Sequence, residues 1–183
     1  MARIQLNSAL KAIQGGIDNW IYRLRGGRVI IGPRVAPADP QSAAQVQARN
    51  RFKLAAAYAR STTPDAVYEQ AARENGWTPF IVMMADYLRP PEVDLINLSG
   101  YHGAIGDPIT VGARDDVSVT AVNVAIRNAD LSVLEEGAAT LVNGMWVYTA
   151  TTARTSGQTV SIAATAVDRP GHTGTLSETW TMP

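Results

Sequence analysis

The sequence predicts an α+β region over residues 1–89, a β-hairpin plus three to four helices, followed by an all-β sandwich over residues 92–183. Three observations carry this reading. Residues 1–89 hold 12 Lys/Arg against 6 Asp/Glu, whereas residues 90–183 hold 4 against 10, so a neutral chain of 183 residues is built from halves of net +6 and −6. Threonine numbers 3 before residue 90 and 13 after it, and helical spacing of apolar residues gives way to alternation. Pro90-Pro91 stands at the change and ends any helix before it.

Composition narrows the function classes. A hydrophobic fraction of 46% and a charged fraction of 17% belong to folded protein. No apolar run approaches the ~20 residues of a membrane span, and the start of the chain lacks the pattern of a secretory signal, so no membrane partner is expected. The absence of cysteine removes disulfides, thiolate metal sites and thiol nucleophiles. Of the 16 basic residues only Lys11 and Lys53 are lysine, which leaves a surface rich in the planar fork that binds carboxylate or phosphate bidentately.

Along the chain, Ile4 to Ile17 carries Leu6, Leu10 and Ile13 near helical spacing until Gly15-Gly16, and reads as a short helix or arm. Asn19 to Arg25 and Arg28 to Ile31 flank Gly26-Gly27, the composition of a tight hairpin turn. Tyr22 and Leu24 alternate there with Ile21, Arg23 and Arg25, which makes one face cationic. Three prolines between Gly32 and Pro40 predict an extended arm, and Trp20, Tyr22, Arg23, Arg25, Arg28 and Arg34 are the candidate partner-docking residues. A helix is expected over 41–60 with Gln45, Ala48, Phe52, Ala55 and Ala59 in one stripe. Thr63-Pro64 and Thr78-Pro79 each place an N-cap before a first-turn proline, predicting helices over 64–75, closed by Gly76, and 79–88. Trp20 and Trp77 are expected to pack the helical half.

After residue 92 the candidate strands are 93–98, 109–113, 117–126, 132–141, 145–149, 159–166 and 175–181. They are separated by turn signals such as Asn143-Gly144 and Asp168-Arg169-Pro170-Gly171. Seven short strands in about 90 residues are the pattern of an immunoglobulin-like sandwich, with Trp146 and Tyr148 in its core.

The run Ile162-Ala-Ala-Thr165-Ala166-Val-Asp168-Arg-Pro-Gly171-His-Thr resembles the A-x-D-x-x-G-N segment near the end of bacterial and phage immunoglobulin-like (Big-type) domains, with His172 where asparagine is usual. Val117 to Ile126 followed by Gly144-Met-Trp146-Val-Tyr148 is similar to the middle strands of that family, and the resemblance spans residues 92–183. It implies display or binding, as in cell-surface adhesins and tailed-phage particles. The front half, with its hairpin, proline arm and Pro40-x-Ser42-x-x-Gln45-x-x-x-Arg49-x-x-Phe52 run, resembles small uncharacterised phage and bacterial proteins.

Site chemistry points away from catalysis. His102 and His172, the two histidines, sit in glycine-flanked turns with no local motif for a triad, and no phosphate-cradling glycine loop is present. No cofactor is expected. Asp115, Asp116 and Asp168 are the calcium candidates, since carboxylates near sandwich loops suit a hard cation, but turn capping accounts for such residues more readily. Ala72-x-x-x-Gly76-x-x-x-x-x-Val82 has the skeleton of a helix-turn-helix, yet its second helix is apolar and unsuited to reading base edges. The expectation is therefore a non-enzymatic structural protein of a phage-like particle, capsid decoration or tail-associated, located in the virion or a cytoplasmically assembled particle. Its partners are expected to be other structural proteins of the assembly or further copies of itself. A nucleic-acid-associated protein using the N-terminal arginines is the alternative, and an adhesin-type surface protein the third.

Overall fold

A computed structural model describes residues 15–25, 28–35 and 41–183. The predicted segment 4–14, the Gly26-Gly27 turn and residues 36–40 of the proline arm lie outside the described residues. The chain divides into two compact units, residues 1–42 and 43–183, whereas charge and composition change at Pro90-Pro91.

The first unit contains a three-stranded antiparallel sheet of order β1-β2-β3, formed by Gly15–Ile17, Trp20–Arg25 and Arg28–Pro33. The hairpin is present, with Arg25 paired to Arg28 across the two-residue link. Gly15-Gly16 open β1, which turns back into β2 through Asp18 at φ 51°. Aspartate tolerates that left-handed conformation, which makes the short link possible.

The second unit begins with three helices, α1 (Ala43–Ser61), α2 (Ala66–Asn75) and α3 (Pro79–Leu88). Asp65, one residue beyond the expected proline signal, caps α2 by accepting from the Val67 and Tyr68 amides at 3.1 and 3.2 Å. Gly76 closes it at φ 66°, a conformation glycine takes without steric cost. Thr78 caps α3 with Pro79 in its first turn, as the sequence predicts. The helices share their own core of Ala55, Ala56, Ala59, Tyr68, Ala72, Val82, Met83 and Met84. The expected α1 stripe holds only over Ala55 and Ala59: Phe52 is exposed, because the packed part of α1 is its C-terminal half. Trp77 is likewise 48% exposed, lying in the link between helices rather than on a packed face.

Eight strands complete the unit: β4 (Glu92–Asn97), β5 (Pro108–Arg114), β6 (Ala121–Arg127), β7 (Val133–Ala138), β8 (Thr140–Val142), β9 (Met145–Thr149), β10 (Thr159–Val167) and β11 (Thr173–Thr181). They form two four-stranded sheets, β4-β5-β9-β8 and β11-β10-β6-β7. Strict alternation in β6 and β10 sends Val122, Val124, Ile126, Val160, Ile162, Ala164 and Ala166 inward, where they pack on Ile109, Val111 and Tyr148. The predicted single strand 132–141 is two: the chain crosses from one sheet to the other at buried Ala139, whose amide donates to the Val122 carbonyl at 2.8 Å. Trp146 is half-buried against this core rather than within it, and Trp180 anchors the end of β11 by donating from Nε1 to the Tyr101 carbonyl at 3.0 Å.

Candidate functional site

Register decides what the N-terminal sheet presents, because residues directly opposite on antiparallel strands point to the same side. Trp20 faces Pro33, Tyr22 faces Ile31, and Leu24 faces Val29, so one side is apolar and aromatic throughout. Ile21 faces Gly32, Arg23 faces Ile30, and Arg25 faces Arg28, so the other side is cationic. The docking candidates thus divide between opposite faces: Trp20 and Tyr22 on one, Arg23, Arg25 and Arg28 on the other. Arg34 follows β3, its amide donating to the Asn19 carbonyl at 2.7 Å. None of the described side chains of this sheet is buried, and Trp20 is 51% exposed. Among the described residues no carboxylate pairs with Arg23, Arg25 or Arg28, and Arg25 sits directly across from Arg28, a like-charge pairing that costs stability in an isolated sheet.

A second polar constellation lies where the helices meet the sandwich. Asp115 Oδ2 accepts from the Val117 and Ser118 amides at 3.1 and 3.0 Å, which holds residues 117–120 out of β6. Asp168 Oδ1 accepts from the His172 amide at 2.6 Å, and Oδ2 lies 3.2 Å from His172 Nδ1. Asp116 instead pairs with Arg89 at 2.6 Å. The three calcium candidates are therefore engaged in turn capping and an ion pair, and among the described residues no group of three or more acidic, histidine or cysteine side chains is disposed to hold a metal ion. His172 also packs edge-on against Tyr87, with ring centroids 4.6 Å apart, while the His102 amide donates to Asp107 Oδ2 at 2.8 Å.

Sequence reading missed Asp86 in this constellation. It is fully buried on α3, and its Oδ2 accepts from the Tyr68 hydroxyl at 2.5 Å, which in turn lies 2.9 Å from the Tyr58 hydroxyl. Burial pushes the Asp86 carboxyl up to about 7; the Tyr68 hydrogen bond opposes the rise, and the Asp115 and Asp168 carboxyls add to it. The Tyr68 hydroxyl is raised far above its ordinary value by burial and by the Asp86 carboxyl. Arg169 spans the same joint, paired with Asp65 and lying 4.8 Å above the Tyr68 ring. A single aspartate within an apolar helix is the one signal that pointed to Asp86.

No family model matches the sequence, and no curated protein matches it. Among solved structures the chain is similar to a bromine derivative of BhCBM56, with 20% identity over 44% of this chain and 85% of that one at a TM-score of 0.32. An engineered protein matches at 18% identity over 56% of this chain and 25% of that one, with a TM-score of 0.34. A conjugative transposon lipoprotein from Bacteroides eggerthii DSM 20697 matches at 10% identity over 50% of this chain and 94% of that one, with a TM-score of 0.26. These likenesses are too distant to carry an argument about function. Among the described residues no helix is long and apolar enough to cross a membrane.

Proposed function

We propose that this chain is a non-enzymatic structural protein of a phage-like particle, a capsid decoration or tail-associated subunit. It docks through its N-terminal residues and displays an immunoglobulin-like sandwich. The observation that carries the reading is the two-faced N-terminal sheet, apolar and aromatic on one side and bearing on the other three arginines that, among the described residues, have no acidic partner. A three-stranded sheet reaches independent stability by covering a hydrophobic face, and a neighbouring subunit that supplies an apolar surface and carboxylates satisfies both sides of this one. The strand orders β4-β5-β9-β8 and β11-β10-β6-β7 support the immunoglobulin-like assignment, since they correspond to A-B-E-D and G-F-C-C′. Net negative charge on residues 90–183 keeps crowded copies of a displayed domain apart.

The second reading, a nucleic-acid-associated protein, draws on the same Arg25–Arg28 pair, because phosphate relieves that repulsion as well as carboxylate does. Replacing Arg23, Arg25, Arg28 and Arg34 together by Ala separates the two. Structural docking is expected to leave free protein with weak or no duplex DNA binding, while the quadruple variant is lost from particles. Micromolar DNA binding at physiological salt, with a logarithmic salt slope that falls by up to ~4 units in the variant while incorporation survives, would establish the second reading instead.

A further inference from the structure

The helices and the sandwich have separate hydrophobic cores, and what joins them is chiefly polar. Among the described residues Val117 is the one hydrophobic side chain from outside the helices that packs on the helical core. Around it stand Arg169 on Asp65 and Tyr68, His172 on Tyr87, Arg89 on Asp116, and Asp86 facing the loops that hold Asp115 and Asp168. Two carboxylate oxygens in this joint, Asp86 Oδ1 and Asp115 Oδ1, are buried without a hydrogen-bond partner, although the second oxygen of each is fully engaged. Unpartnered buried carboxylate oxygens are costly; the Asp86 and Asp115 carboxyls lie within hydrogen-bond reach of each other, and a single proton shared between them satisfies both.

We propose that the helical layer is fastened to the sandwich by a proton-held clasp, in which the Asp86 carboxyl donates to Asp115, and that losing this proton loosens the joint. The groups facing Asp86 are Tyr68 from α2, Tyr58 of α1 behind it, and Asp115 and Asp168 from the two sandwich loops. Asp168 is itself bound by His172, and Arg169 with Asp65 closes the outer side. Asp115 and Asp168 both oppose ionisation of Asp86, whose charge would stand where burial allows little screening. Since the folded Asp86 value lies above its ordinary 3.8, the native state holds an extra proton between that value and about 7. The stability supplied is complete at the acid end of this window and gone once the pH has risen through about 7. The consequence for a displayed domain is that its hold on the helices weakens in mildly alkaline surroundings.

Asp86→Asn tests the clasp in the whole 183-residue chain, because an amide donates to Asp115 and accepts from Tyr68 at every pH. The melting temperature of Asp86→Asn minus that of wild type is expected to rise by roughly 3 to 8 °C between about pH 5 and pH 9, the histidines and other carboxylates cancelling in the difference. Hydrogen exchange, corrected for its intrinsic pH dependence, is expected to speed up above neutral pH at the Val117, Ser118 and His172 amides of wild type and to stay constant in the variant. Tyr68→Phe removes the hydrogen bond that lowers the Asp86 value, so the loosening midpoint is expected to move to higher pH. Parallel melting curves for wild type and Asp86→Asn overturn the proposal. So does a flat corrected exchange profile in wild type, which needs no variant to fold.

Discussion

Glu135 shows how much a single side chain can be asked to hold. It is buried on β7 and accepts from the Tyr148 hydroxyl and the Thr151 amide at 2.8 Å, from the Thr152 amide at 3.0 Å, and from Arg154 at 3.4 Å. Burial pushes its carboxyl up, but the hydrogen bonds from Thr151, Tyr148 and Thr152 outweigh it and hold the group below the ordinary 4.5. Glu135→Ala leaves Arg154 and two loop amides without their acceptor and should cost about 3–5 kcal/mol, read by denaturant unfolding at neutral pH. With a depressed folded value, the stability from Glu135 is present above the ordinary value and lost as pH falls through the folded one, so Glu135→Gln should flatten the acid limb of the melting profile. Glu135 was not legible beforehand, and Asp86 only as a lone aspartate in an apolar helix. A charged residue in an amphipathic strand reads as solvent-facing, and only the tertiary arrangement brings the hydroxyls and amides that make burial tolerable. Trp77 erred in the opposite direction, since a large aromatic reads as core whichever way its link carries it.

Elements were more legible where chemistry is local. The caps of α3, the Gly76 stop of α2 and the span of β9 all follow from signals within a few residues of the boundary. What alternation could not show was the move from β7 to β8. Period-2 spacing continues through Ala139 although the chain changes sheets there, and β1 was hidden because Gly15-Gly16 serves a strand as well as a helix stop. The junction of β11 with the link after α3 depends on a residue the sequence left unremarked. A Cβ added at Gly174 meets the Pro91 backbone carbonyl, which cannot rotate away as a side-chain end does. Gly174→Ala should therefore force β11 and Pro91 apart and lower stability by about 1–3 kcal/mol, whereas alanine at Gly32, whose Cβ direction is open, should be near neutral to packing. Equal melting temperatures for the two variants would show that Pro91 is free to shift.

At the scale of the whole molecule, the opposite charges of the two halves and the amphipathic sheet act at different distances. Net charge governs long-range encounter and the spacing of copies, while register on β2 and β3 governs what a partner meets on contact. Folding is organised differently again, because the compact unit 43–183 contains two cores with a polar joint between them. That separation implies that residues 90–183, which keep Pro91 against Gly174, fold alone into a soluble, cooperative β domain, since the sandwich core draws no residue from the helices. Circular dichroism of the fragment is expected to show strand without helix, with one sigmoidal melt. Asp115 loses its Asp86 neighbour in the fragment but keeps its turn amides, so the β5–β6 loop should stay ordered. Trp146→Ala in this fragment should cost about 2–3 kcal/mol, less than truncation of a fully buried indole, because Trp146 covers the core from one side. A fragment that is unfolded, or that melts without cooperativity, would mean that the helices complete the sandwich through the joint, and that the two cores form only together.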